Sequence, residues 1–235
     1  MIYAIVVAVI CLVFAVQVGR DYQERRRPYQ GIWTVALALS FAGAACYALA
    51  VALGSQWAFR LYYVFGALWV APYMGLGSLF LVLPQPLARR VAAAVTAALV
   101  AATVPLFTAE IDPEAFAALA GSSGQGVFVP GAWLIGMILL NIFGTAAVVG
   151  VALYSAWRAY RHRSELGFMW GNLTIGLGFL ILAMAGSVAR WLPRWDGGFW
   201  VAMALGWIIA YVGFRIVTAA GEAKRQAAAN AAAAQ

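Results

Sequence analysis

The chain carries one histidine, His162, set between Arg161 and Arg163. A single imidazole excludes bis-histidine haem ligation within one chain and any histidine-rich metal site, and its basic neighbours mark it as a solvated loop residue. The acidic residues Glu110, Asp112, Glu114, Glu165 and Asp196 fall in loops or at the ends of apolar runs. No predicted span therefore holds the carboxylate that proton-coupled transport ordinarily uses. The last apolar run lacks a lysine, which removes the Schiff-base chemistry of a rhodopsin. Ser40, Ser78 and Ser187 sit in apolar runs without a base to activate them, and neither H-E-x-x-H nor G-x-S-x-G occurs. These serines read as helix-packing residues. Cys11 and Cys46 lie in apolar runs without disulfide or metal-ligand spacing, and read as small, soft packing residues. Catalysis and a metal site are not expected.

What remains at depth is neutral. Asn141 and Thr145 are four apart and share a helix face. An asparagine in hydrocarbon is costly unless bonded, so Asn141 is expected to face the interior, as interhelical glue or as a ligand contact. The sharper reading gathers Asn141, Tyr73 and Tyr211 into one polar spot of a mostly apolar cavity. Thr145, Trp69 and Trp207 are further ligand-binding candidates. Such a cavity suits a lipid, quinone or carotenoid better than an ion, and no other cofactor is implied. Tyr62 and Tyr63 line the third apolar run. Asn172-Leu173-Thr174 matches a glycosylation acceptor but lies inside a span.

The elements that position these groups follow from composition. The chain has 235 residues, 65% hydrophobic and 10% charged, with a mean hydropathy of +0.88. Ordinary soluble domains carry about 25% charged residues, and a soluble core of this length leaves too much surface to hide so many apolar side chains. The fold class is all-α, an integral membrane bundle of seven transmembrane helices. Runs long enough to span cover 2–18, 31–53, 57–83, 91–107, 129–154, 166–189 and 199–219. Together they form one domain over 1–220, followed by an Ala-rich cytoplasmic tail over 221–235 that is expected to extend the last helix and fray over its final residues. The first run lacks the basic start of a cleavable signal and is expected to stay as a helix, and no soluble output domain is expected after the last.

Orientation follows from charge. Arg20, Arg25, Arg26, Arg27, Arg89, Arg90, Arg158, Arg161, Arg163, Arg215, Lys224 and Arg225 fall on one side, and Arg60, Arg190 and Arg194 on the other. Basic residues collect in cytoplasmic loops, so the N-terminus is expected outside and the C-terminus in the cytoplasm. The net charge of +7 then reflects anionic lipid rather than nucleic acid. Arg25, Arg26, Arg27, Arg158, Arg161 and Arg163 form the expected cytoplasmic face for lipid or for a partner protein. The bilayer is the first partner, other membrane proteins or further copies the next. The Ala, Gly and Arg richness suggests a bacterial chain, hence the inner membrane.

The long outer loop, 108–128, combines Asp112-Pro113, the start of a short surface helix, with a flexible run from Gly121 to Gly126. Trp33, Trp57, Trp157, Trp170, Trp191, Trp195 and Trp200 lie near span ends, where interfacial anchoring is expected. Pro72, followed by Gly75 and Gly77, predicts a kink. Small residues at Ala44, Ala48 and Ala52, and at Gly171, Gly176, Gly178 and Gly186, predict close helix contacts within the bundle or with a partner.

The stretch Trp69-Val70-Ala71-Pro72-Tyr73-Met74-Gly75 reads W-x-x-x-Y-x-G, and so does Trp207-Ile208-Ile209-Ala210-Tyr211-Val212-Gly213, 138 residues later. Trp33 and Trp170 stand 137 apart. Two parallel three-helix repeats around a featureless linker, the fourth span, would place them so. This layout resembles the sugar-exporting SWEET family in architecture, and the resemblance implies a facilitator for a neutral solute. That family relies on prolines in the first two helices of each repeat. Here the second span has none, and Pro72 and Pro130 do not occupy matching places, so no functional residue carries over. In helix order and loop charge the chain also resembles the membrane sensor region that precedes some bacterial histidine kinases, which implies recognition of an apolar ligand and a partner docked on the basic face. The functional expectation is a non-catalytic membrane protein, either a subunit of a larger complex or a sensor-like binder of an apolar ligand. A transporter of a neutral solute is the alternative.

Overall fold

A computed structural model describes residues 2–162, 166–191 and 197–233. Among them all regular structure is helical, apart from an isolated antiparallel bridge between Ile111 and Phe128. Helix α1 (Ile2–Arg25) and helix α2 (Pro28–Leu53) form a hairpin. Its turn uses Arg26 at a φ of 49° and places Pro28 at the first helical position, where no backbone donor is lost. Along α1, Ala4, Val7, Cys11, Phe14 and Val18 recur at three- and four-residue spacing and are buried. Ile5, Val9, Leu12 and Val16 on the opposite side are equally apolar and exposed. This helix, apolar on both faces, is long and apolar enough to cross a membrane.

The third span is continuous from Gln56 to Val82 but changes register inside. Helix α3 (Gln56–Tyr62) starts at Ser55, whose side chain accepts from the Ala58 N–H. A π-helical segment runs from Tyr63 to Trp69, and helix α4 (Val70–Val82) follows. Helices α5 (Gln85–Thr108), α6 (Pro113–Ala117), α7 (Ala132–Arg161), α8 (Leu166–Trp191) and α9 (Gly198–Ala233) complete the chain. Among the described residues, seven helices are long and apolar enough to cross a membrane.

Between helices that are apolar on every side, contact depends on how closely their backbones approach. Gly144 of α7 rests against the Ala71 carbonyl and Pro72 of α4, where a Cβ would overlap both. A Cβ on Gly178 of α8 would lie 2.6 Å from the Ala210 N and 2.8 Å from the Gly206 O of α9. The glycines of α8 therefore serve contacts within the bundle.

The bundle has two unlike ends. At the basic end Arg25 pairs with Glu222 at 2.7 Å, joining α1 to α9, and Arg158, His162 and Lys224 share a cleft with Leu81 and Val82. The opposite end is capped by the segment between α5 and α7. There the Asp112 N–H donates to the Val127 carbonyl at 2.9 Å, and the Val129 N–H to the Glu110 carbonyl at 3.0 Å.

Several sequence expectations change. The first helix continues past Val18 to Arg25 and carries Asp21 into the packed region. The run Gly121–Gly126, expected to be flexible, is held: Tyr62 Oη donates to the Ser123 carbonyl at 3.0 Å, Tyr63 Oη to that of Gly124 at 2.8 Å, and Trp200 Nε1 to that of Ser122 at 3.0 Å. Its glycines supply positive φ, 86° at Gly121 and 76° at Gly124. Trp33 and Trp200 are buried donors rather than interfacial anchors, Trp33 Nε1 reaching the Met74 carbonyl at 3.1 Å. Trp57, Trp157 and Trp170 are exposed. The tail is helical through Ala233, since alanine has the highest helix propensity. Trp191 and Arg190 as side chains, and Arg163, Glu165, Arg194, Trp195 and Asp196 altogether, fall outside the described residues.

Candidate functional site

The register change in the third span sets up the site. Pro72 has no N–H, so the i+5 donor that Ala67 would take in the π pattern is missing. Asn141 of α7 replaces it: its Nδ2 donates to the Ala67 carbonyl and to the Met137 carbonyl of its own helix, both at 2.8 Å. This cross-helix bond lies in the wall of a cavity of about 740 Å³ between α7, α8, α9 and the π segment. The size falls within the range of small-molecule sites.

The lining is mostly apolar, with Met137, Val149, Phe179 and Met203 among its members. Ser40, Asn141 and Thr145 are among its polar groups. Ser40 Oγ is already engaged with Cys11 Sγ at 3.2 Å. At the capped end Gln125 Nε2 donates to the Gly186 carbonyl at 3.0 Å, tying the cap to α8 over the cavity. Helices α7 and α8 meet near the basic end, where a Cβ on Gly176 would stand 3.5 Å from the Ala152 Cβ. Toward the cap the cavity lies between them, and its lining includes Ile138, Ile142 and Leu180, which are 47%, 61% and 44% exposed. The mouth therefore opens sideways on the outer face of the bundle rather than through the cap.

Of the ligand-binding candidates, Asn141, Thr145 and Trp207 line this cavity. Trp207 is wedged edge-on between Phe14 and Phe179, with ring centroids 6.4 and 5.8 Å away, and its Nε1 is buried without a hydrogen-bond partner. The expected polar spot of Asn141, Tyr73 and Tyr211 does not form. Tyr73 turns to α5, with its hydroxyl 3.4 Å from Thr96 Oγ1. Trp69 stacks on Tyr73 at 5.6 Å and donates to Thr103 Oγ1 at 3.0 Å. Tyr211 packs on Phe14 of α1 at 5.1 Å and accepts from Arg215 at 3.2 Å. The two W-x-x-x-Y-x-G stretches thus sit in unlike surroundings, one half-buried against α5, the other packed on Phe14 of α1 and Phe179 of α8. Helix α5, expected to be featureless, offers Thr96 and Thr103 seven residues apart on one face as anchors for that stack.

At the basic end Arg26 and Arg27 are exposed, as are Arg158 and Arg161. Arg161 lies over the Trp157 ring at 5.4 Å. Arg25 is committed to Glu222. Sequence reasoning missed two groups here. Asp21 and Gln30 are 6% and 2% exposed, and each holds one side-chain oxygen without a partner. The three-and-four spacing that runs from Ala4 through Val18 reaches Asp21 and was the signal for the first of them.

Comparison of the chain with protein-family models, with curated proteins and with solved structures gave no match.

Proposed function

We propose that the chain is a non-catalytic, multi-pass protein of a bacterial inner membrane that binds an apolar ligand, a lipid, quinone or carotenoid, in the sideways-opening cavity. Its N-terminus is outside and its C-terminus cytoplasmic. The observation that carries the reading is a 740 Å³, mostly apolar cavity whose mouth lies between α7 and α8. In a bilayer that mouth faces acyl chains, so a ligand enters from the membrane without crossing water. A purely structural subunit of a larger complex calls for a dry, close-packed interior, and the cavity counts against it. A transporter of a neutral solute calls for a continuous polar path, and the pinned cap over the cavity counts against that. Signalling from the site uses the basic end, where Arg26, Arg27, Arg158 and Arg161 are available to a partner or to anionic lipid.

Thermal unfolding of the delipidated protein tests the reading. A ligand that binds only the folded state raises the midpoint in proportion to the logarithm of its concentration. A phospholipid, a long-chain quinone and a carotenoid are added in turn. At least one is expected to raise the midpoint, with the effect abolished in Ala146→Trp, which places an indole in the cavity lining. No shift from any of them, together with solute flux in liposomes, contradicts the binding role and favours the transporter.

A further inference from the structure

The polar atoms left free in the cavity wall define the ligand's polar end more narrowly than the apolar lining does. A side-chain amide has two N–H donors and a carbonyl oxygen. Asn141 uses both donors, since its Nδ2 is 2.8 Å from the Ala67 oxygen and 2.8 Å from the Met137 oxygen. Both partners are carbonyl oxygens, so only the NH2 group can face them, and the orientation of the amide is fixed by its surroundings. Oδ1 is left, an acceptor, and among the described residues no donor meets it. Thr145 stands one turn along α7 in the same wall, with about 5–6 Å between the two Cβ atoms. Its hydroxyl both donates and accepts.

We propose that the cavity takes an apolar molecule that ends in a hydroxyl group, seated between Asn141 and Thr145. A hydroxyl oxygen at about 2.8 Å from each donates its proton to Asn141 Oδ1 and accepts from Thr145. A ketone, quinone or ester oxygen only accepts, and an ether likewise. Either leaves Oδ1 without a partner in an apolar surround, and that is where discrimination between otherwise similar ligands arises. The inference rests on the cavity being a ligand site. It narrows the ligand to the hydroxylated members of the class, such as a long-chain alcohol, a hydroquinone or a hydroxylated carotenoid.

The test uses the purified full chain and three diazirine-bearing probes of matched chain length: an alcohol, its methyl ether and the corresponding ketone. Adducts are located by peptide mass spectrometry. All three are expected to label the cavity walls on α7 and α8, with the alcohol reaching half-labelling at about fivefold lower concentration than either analogue. Thr145→Val, which leaves the Ala67 bond of Asn141 in place, is expected to reduce that advantage without moving the adducts. Equal labelling by the three probes overturns the hydroxyl requirement while the cavity reading stands. So does a preference for the ketone, which would assign recognition to the buried Trp207 N–H. Absence of cavity adducts from every probe overturns the cavity reading itself.

Discussion

Asn141 has a structural role and, in the proposal, a recognition role in one side chain. One amide hydrogen replaces the donor that Pro72 lacks, and the amide oxygen is left, among the described residues, as an unused acceptor on a residue that lines the cavity. Removing the donor leaves the part-buried Ala67 carbonyl without it, a loss of about 1 kcal/mol. Asn141→Leu is therefore expected to lower the thermal midpoint clearly. Thr145→Val stays near wild type in the same detergent, and an unchanged midpoint for Asn141→Leu would contradict the role given to this bond. The importance of Asn141 was legible in the sequence, because a neutral amide inside a long apolar run has to find partners. Tyr73 and Tyr211 do not join it, because a tyrosine in an apolar helix needs a partner too and sequence spacing does not say which neighbouring residue provides it. Asp21 was missed because a hydropathy span ends where charge begins, at Arg20, whereas the helix and its buried face continue to Arg25.

At the scale of elements, the approach of α7 to the register change in the third span controls the cavity. Gly144 is the contact point, and a methyl group there would overlap the Ala71 carbonyl. Gly144→Ala is expected to destabilise by about 1–3 kcal/mol. Gly150→Ala on the same helix meets nothing within 4 Å and is expected to be neutral or to stabilise by up to about 1 kcal/mol through helix propensity. Equal midpoints for the two variants would show that this contact does not hold α7 in place. The cap makes a second prediction. Gly124 combines a φ of 76° with the Phe59 ring, which a Cβ would approach to 2.7 Å. Gly124→Ala is expected to speed hydrogen exchange across residues 119–126 while leaving the interior of α2 protected. The seven long helices were legible from apolar run length. The π segment and the pinned cap were not, because both depend on which distant side chains supply donors: Asn141 for the first, Tyr62, Tyr63 and Trp200 for the second.

For the whole molecule, the arrangement is a bundle with a basic end, a capped end and a sideways mouth between them. The charge asymmetry predicts that the basic end is cytoplasmic. A reporter fused after Gln235 is expected to be active only if it functions in the cytoplasm, and one placed in the cap near Ser122 only if it functions outside. The reverse pattern would invert the topology. The central claim is that the cavity holds a membrane-derived molecule. Native mass spectrometry of the protein released from lipid nanodiscs, with an absorbance spectrum of the same sample, tests it most directly. The comparison is with Ala183→Trp, which places an indole where α8 borders the mouth. The account predicts a discrete mass retained by the wild-type chain and lost from the variant. A wild-type chain that carries nothing, or that carries the same bilayer lipids in the same proportion as Ala183→Trp, would contradict it.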